Sequence, residues 1–374
     1  MASAAGEPYI GLISGTSMDG IDAVVVDFGA DSPRLLAQAV LPFEGELRET
    51  LDEVRANPDG FPVAALGALD VRLGDRFAEA ALAVVSAAGL SPSDITAIGS
   101  HGQTVIHHPQ ADPPFTLQVA DAHRIAHRTG IVTVADFRRA DLAAGGQGAP
   151  LAPLLHDALF RSDDEARAVI NLGGIANVTL LLPEQPLSGL DTGPANCFLD
   201  LWYRRNAGDG RYDAGGRWSA GGQVDKAWLA KLKADPYFAR PAPKSTGIEY
   251  FSPAWLDARL PEWAEDRPAD VQATLAELSA QTIADAIRTA RPVGIDTCIV
   301  CGGGAANADL CRRLAAALDE IEITPSDRLG LPADDVESTL FAWLARERLA
   351  GRRLTTGPVT GANRPVLLGT VHEP

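Results

Sequence analysis

The chain has 374 residues, 46% hydrophobic and 22% charged, an ordinary globular composition long enough for two cores. Its formal net charge of −17 repels phosphate backbones and argues against a nucleic-acid partner. No apolar run reaches membrane-spanning length without a Pro, Gly or charge, and no basic residue precedes Arg34; neither a span nor a signal peptide is expected, and the expected compartment is the cytoplasm.

The first half opens with a strand over Tyr9–Ser14, a tight turn through Gly15–Gly20, and strands over Ile21–Phe28 and Arg34–Phe43. The 3.6-residue apolar period of Val63–Ala88 predicts a helix stopped by Gly89 and Pro92. A strand over Ile95–Gly99, a helix over Asp121–Arg128 with Asp121 as its cap, and a strand over Ile131–Phe137 complete the order β-β-β-α-β-α-β. Leu151–Phe160 reads as a helix crossing between domains.

The second half repeats this order. Strands over Ala168–Leu172 and Ala176–Leu182 flank a Gly173-Gly174 turn, with a short third strand over Ser188–Leu190. A helix over Asn196–Arg205 precedes an irregular insert (about 207–268) rich in Gly and Pro. Then come a helix over Val271–Arg291, a strand over Thr297–Cys301, a helix over Asn307–Leu318, a strand over Glu322–Thr324 and a last helix over Asp335–Leu349. An α/β plan used twice, each copy opening on a Gly-turned hairpin, resembles two ribonuclease-H-like (actin-like ATPase) domains with an ATP cleft between them. The expected boundaries are 1–148 for the first domain, with the tail 355–374 packing back on it, and 149–354 for the second.

Three Gly-rich turns follow strands: Gly15-Thr16-Ser17-Met18-Asp19-Gly20-Ile21-Asp22, Gly173-Gly174, and Gly302-Gly303-Gly304 running to Asn307. Glycine lets backbone N–H groups approach phosphate oxygens, although strand turns use glycine in any case. No G-x-x-x-x-G-K-[ST] is present, and the third glycine of a dinucleotide fingerprint is replaced by Asn307. Asp19 reads equally as half of an Asp-Gly turn pair and as a Mg²⁺ carboxylate. Asp191, at an expected strand end before a helix, reads as a cap or as a general base.

Cys298 and Cys301 lie three apart on one expected strand and point to opposite faces, so all four cysteines read as small buried or reduced side chains. His101 follows Ser100 directly without a nucleophile elbow, which speaks against a hydrolase. His123 and His127 lack a third ligand.

Together these segments resemble the anhydro-N-acetylmuramic acid kinase family over nearly the whole chain. The matching stretches are Gly11–Asp22, Gly99–Thr104, Asp136–Pro150, Asn171–Asn177, Asp191–Asn196, Lys244–Phe251, the Gly302 turn, Glu337–Ala345 and Thr360–Ala362. The resemblance implies an ATP- and Mg²⁺-dependent sugar kinase acting in cell-wall recycling. It implies that water opens 1,6-anhydro-N-acetylmuramic acid at C1 while O6 is phosphorylated, and that the protein is a homodimer. By position, Asp191 matches the family's base, Gly15–Asp22 its ATP-phosphate segment, and Arg138, with Arg139 as runner-up, its substrate arginine. His101 is a further substrate-binding candidate. Ile248 stands where the family pattern has Arg, and Ala195 where it has Gly. A levoglucosan-type anhydrosugar kinase is therefore the nearer alternative, and a non-enzymatic, nucleotide-gated actin-like protein the remoter one.

Overall fold

The computed structural model describes residues 6–15, 18–29, 33–207, 210–242, 244–290, 294–319 and 321–374. The chain forms two compact units, one of residues 1–155 and 335–374, the other of 156–334.

The first unit is built on a mixed sheet. Strands β1 (Pro8–Ser14), β2 (Gly20–Asp27) and β3 (Arg34–Pro42) form an antiparallel meander. Strand β4 (Ala97–His108) pairs parallel to β1, and β5 (Phe115–Val119) folds back on the distal half of β4. Strand β6 (Thr133–Ala135) lies parallel to the start of β4. The order β3-β2-β1-β4-β6 is extended by β12 (Thr370–His372), antiparallel to β6. Helix Val63–Ala87 buries Leu69, Leu73 and Phe77 in a core with Ile10, Leu12 and Ile98. Each such side chain contributes about 1.5–3 kcal/mol on burial.

Helix Val336–Leu349 packs on β1 and β4. An added Cβ on Gly11 would lie 1.8 Å from the Ser338 carbonyl oxygen, and on Gly99 1.9 Å from that of Phe341. These two glycines serve a close approach of helix backbone to sheet. The packing also explains why residues 335–354, expected in the second domain, belong to the first unit; the other division falls inside helix Ala152–Phe160 and not at 148.

The second unit repeats the strand order. Strands β7 (Arg167–Leu172), β8 (Ile175–Leu181) and β9 (Ser188–Pro194) form the meander; β10 (Thr297–Cys301) pairs parallel to β7, and β11 (Glu322–Pro325) to β10. The order β9-β8-β7-β10-β11 matches β3-β2-β1-β4-β6, so the duplicated ribonuclease-H-like plan is present in both units. Helix Pro268–Ala290 supplies Leu275, Leu278, Ile283 and Ile287 to this core. Cys298 and Cys301 are fully buried, and Cys197 and Cys311 are half-buried.

Several elements differ from expectation. Helix Gly45–Ala56 and strand β5 were not anticipated, and β4 runs on to His108 instead of stopping at Gly99. The insert expected to be irregular holds helices Arg217–Gly221, Lys226–Lys233 and Pro253–Asp257. Asp225 caps the second of these by accepting from Trp228 N at 2.8 Å, and Trp228, Leu229 and Leu232 are buried beneath it. Strand β9 continues to Pro194, so Asp191 lies mid-strand and not at a strand end. Asp-Thr-Gly-Pro reads as a turn, but β9 is an edge strand, which tolerates proline. A register shift opposite Ala176/Asn177 places Asp191 across from Asn177.

Candidate active site

In the second unit, Asp191 is fastened to the Lys244–Thr246 segment at the free edge of β9. Asp191 N donates to Lys244 O at 3.0 Å, and Thr246 N donates to Asp191 Oδ2 at 2.9 Å. Among the described residues Asp191 Oδ1 accepts no hydrogen bond. Burial pushes the carboxyl up to about 6, with the Thr246 N–H pulling down and Glu249 pushing further up. A carboxylate with one anchored oxygen and a pKa near neutrality has the properties of a general base.

The clamp rests on an aromatic cluster from the insert. Buried Tyr237 donates from Oη to Asp191 O at 2.8 Å. Lys244 Nζ donates to Tyr237 O (3.3 Å) and Phe238 O (3.1 Å) and sits 4.8 Å from the Tyr237 ring centre. Asp235 accepts from Tyr237 N, Tyr250 Oη, Trp255 Nε1 and Arg259 Nη2, and these bonds outweigh its burial and lower its pKa. The segment Lys244–Phe251, whose role sequence reasoning left open, is thus the support of Asp191. Ile248 is 57% exposed on this segment.

The glycine turns separate into two kinds. Gly302 has φ 82°, and a Cβ there would meet Asn171 Oδ1 at 2.2 Å; a Cβ on Gly304 would meet Leu172 Cβ at 2.7 Å. Both are demanded by the fold. Among the described residues, a Cβ on Gly303 would have only Asp334 Oδ1, at 3.8 Å, within 4 Å, and one on Gly15 nothing. Those two face open space. The Gly173-Gly174 carbonyls accept from Ala195, Asn196 and Cys197 N, so this turn caps helix Asn196–Asn206. Gly303 opens onto a cavity of about 340 Å³ lined by Asn196, Asp200, Tyr212, Asp213, Asn307 and Asp334, among others. Burial pushes Asp200 up to about 6, Arg204 pulling back. Asn307, expected beside the nucleotide, caps helix Ala308–Ala317 through Leu310 N at 3.0 Å while lining the cavity.

In the first unit, Thr16 and Ser17 lie outside the described residues. Met18 and Ile21 are 5% and 0% exposed, so their side chains serve the core; Met18 N donates to Gly15 O at 3.1 Å, and Ile21 pairs with Leu41 in the sheet. Asp19 is half exposed, and Arg48, from the unanticipated helix, donates to Asp19 Oδ1 (2.8 Å) and Met18 O (2.7 Å). Gln103 holds the turn from below, accepting from Ser14 Oγ at 2.5 Å and donating to Gly15 O at 3.4 Å. Asp22 is exposed on β2. Among the described residues no cluster of three or more metal-ligating side chains forms.

Arg138 and Arg139 have different surroundings. Arg139 is 55% exposed and pairs with Asp136 at 3.5 Å. Arg138 donates from Nε to His101 Nε2 at 3.0 Å and from Nη1 to Gly148 O at 2.8 Å. Desolvation pulls its pKa down to about 10, opposed by Glu337 and Asp141; it stays charged at neutral pH. His101 is held neutral by burial and then by Arg138, its Nδ1 bonding Gly102 O at 3.1 Å. Both its ring nitrogens are engaged, so it supports Arg138. Glu337, at the start of its helix, is raised by desolvation against the pull of Arg138, with Asp22 pushing further up.

The family model for anhydro-N-acetylmuramic acid kinase matches residues 7–374. The chain belongs to the anhydro-N-acetylmuramic acid kinase family. A relative of that name from Xanthomonas campestris pv. campestris (strain 8004) is 50% identical over 97% of both chains, and one from Xanthomonas axonopodis pv. citri (strain 306) is 49% identical over the same shares. Among solved structures, the activator of the 2-hydroxyisocaproyl-CoA dehydratase from Clostridium difficile, with bound ADPNP, matches at TM-score 0.46 and 14% identity, covering 93% of this chain and 99% of its own. Sequence reasoning did not single out Arg48 or the cavity-lining Asp200, Tyr212 and Asp213, and it gave no role to Glu337 or Thr246, although both lie in matching stretches. The Gly215-Gly216 pair, at φ 69° and 68°, is a local signal of a turn beside that cavity.

Proposed function

We propose that the chain is an ATP-dependent kinase that opens 1,6-anhydro-N-acetylmuramic acid with water and phosphorylates O6, giving N-acetylmuramic acid 6-phosphate for cell-wall recycling. The observation that carries the chemistry is Asp191, with Oδ2 held by the Thr246 N–H and a pKa raised to about 6. Asp191 takes the proton of a water attacking C1, and its charge stabilises the oxocarbenium character that develops there. The C1–O bond breaks, and the released O6 attacks the γ-phosphoryl group of ATP as the bond from γ-phosphorus to the β–γ bridging oxygen breaks and ADP leaves.

Arg138, fixed by His101 and Gly148, contacts the substrate and the transferring phosphoryl group. The cavity beside Gly303 takes the nucleoside, and the backbone N–H groups of Gly303 and Gly304 take phosphate oxygens, that of Gly302 being donated to Ala333 O at 2.9 Å. Mg²⁺, when bound with the nucleotide, neutralises phosphate charge. Its fit rests on Asp19, a half-exposed carboxylate beside Arg48, since Mg²⁺ keeps most of its waters and needs only one or two protein carboxylates. No described helix is long and apolar enough to cross a membrane; a cytoplasmic homodimer completes the proposal.

The test is ADP release with MgATP and a panel of sugars. The expected outcome is turnover on 1,6-anhydro-N-acetylmuramic acid well above that on glucose, N-acetylglucosamine or levoglucosan. Equal turnover on plain hexoses removes the anhydrosugar assignment, and faster turnover on levoglucosan replaces the substrate.

A further inference from the structure

We propose that Thr356 and Thr360, acting through Asp141, position the Arg138 guanidinium, so that the C-terminal segment sets the geometry of a substrate contact. The inference rests on the reading that Arg138 meets the substrate.

Asp141 is 0% exposed. A buried carboxylate is costly unless its oxygens are hydrogen-bonded, and here three donors meet it. Oδ1 accepts from the hydroxyls of Thr356 (2.5 Å) and Thr360 (2.8 Å), 215 and 219 residues away in sequence. Oδ2 accepts from Gly148 N at 2.7 Å. The carbonyl of that same Gly148 accepts from Arg138 Nη1 at 2.8 Å. A single residue, Gly148, therefore links Asp141 to one of the two anchors of the guanidinium; the other is His101.

The loop between Asp141 and Gly148 closes tightly on the carboxylate. A Cβ added to Gly146 would lie 2.2 Å from Asp141 Oδ2. Two backbone bonds tie the same loop to the C-terminal segment, Gln147 N to Thr360 O and Asn363 N to Ala144 O, both 2.9 Å. With the backbone so tied, the threonine hydroxyls decide where the carboxylate points, and the carboxylate decides where Gly148 presents its carbonyl. Bonds at Nε and Nη1 together fix the guanidinium plane, which a single bond would leave free to rotate. Charge-assisted bonds to Oδ1 and Oδ2 make the chain of contacts stiff.

The experiment uses the full-length protein carrying Thr356→Val and Thr360→Val, singly and together, each alone and combined with Arg138→Met. Valine keeps the shape and removes the hydroxyl. The expected result is a loss of roughly 10-fold in kcat/KM for the anhydrosugar in the Val pair, the scale of a sub-ångström misplacement. Nucleotide affinity by calorimetry stays unchanged, and Thr356→Ser with Thr360→Ser restores turnover. In the Arg138→Met background the Val pair costs no further kcat/KM, because residues acting through one group are not additive.

A folded Val pair with normal kcat/KM overturns the proposal, and so does an equal loss in the presence and absence of Arg138→Met. If the pair does not fold, Thr360→Val alone carries the same comparison, Thr356 still holding Oδ1. Should Arg138→Met itself leave kcat/KM intact, the substrate role of Arg138 fails and takes this inference with it. A lowered Arg138→Met beside unaffected threonine variants overturns the positioning role alone.

Discussion

Asp191 carries opposite consequences for activity and stability. As a general base it must be ionised, so kcat rises with pH through an apparent pKa near 6 and falls below it. Asp191→Asn is expected to lose roughly 10²-fold in kcat, to flatten that pH limb and to leave substrate binding much less affected. For stability, the folded state holds the proton more tightly than the unfolded chain, whose carboxyl stays near 3.8. Stability therefore falls as pH rises from about 4 to 6 and stays reduced above that. Asn cannot ionise, and its side-chain oxygen can still accept the Thr246 N–H. The variant is expected to be more stable than the parent at pH 8 by up to about 3 kcal/mol, and no more stable at pH 4. Denaturant midpoints at the two pH values check this; a less stable variant at pH 8 returns Asp191 to a structural role.

Among the elements, the turn after β10 contains three consecutive glycines with different duties. Gly303→Ala adds a methyl into open space beside the cavity, with Asp334 Oδ1 at 3.8 Å. It is expected to fold normally and to weaken ATP binding, read by calorimetry. Gly302→Ala must accept φ 82° and a clash with Asn171, and is expected to destabilise by about 1–3 kcal/mol. Thermal midpoints separate the two. Equal ATP affinity in a folded Gly303→Ala protein removes this turn from the phosphate cradle. The glycine pattern was visible in sequence, but which glycine faces open space and which the fold demands was not. That depends on Asn171 and Leu172, supplied by a strand of distant sequence.

At the scale of the molecule, the first unit is completed by residues from the chain's other end. Helix Val336–Leu349 lies on β1 and β4, and β12 extends their sheet. A fragment of residues 1–155 is expected to bind hydrophobic dyes and unfold without cooperativity, because one sheet face is uncovered. Supplying residues 335–374 in the same polypeptide is expected to restore a cooperative transition. Residues 156–334 hold their own core and are expected to fold alone. Cooperative unfolding of 1–155 by itself, followed by calorimetry, contradicts the discontinuous unit.

The sequence by itself determined the elements with a strong period and the duplicated order. Val63–Ala87, Pro268–Ala290 and the strand pairs around Gly15 and Gly173 lie within a few residues of where alternation and helical period put them, because each signal is local. It also determined the motif set that places the chain in its family. It did not determine the short helices of the insert, whose Trp228 and Trp255 gain stability only by packing into a core assembled elsewhere. It misread Asp-Thr-Gly-Pro as a strand end, since a bulged edge strand and a turn use the same residues. The different surroundings of Arg138 and Arg139, the clamp of Thr246 on Asp191, and the joining of residues 335–374 to the first unit were decided only by tertiary structure. Each depends on a hydrogen bond or a packing contact between residues far apart in the chain, and no local pattern records which distant partner arrives.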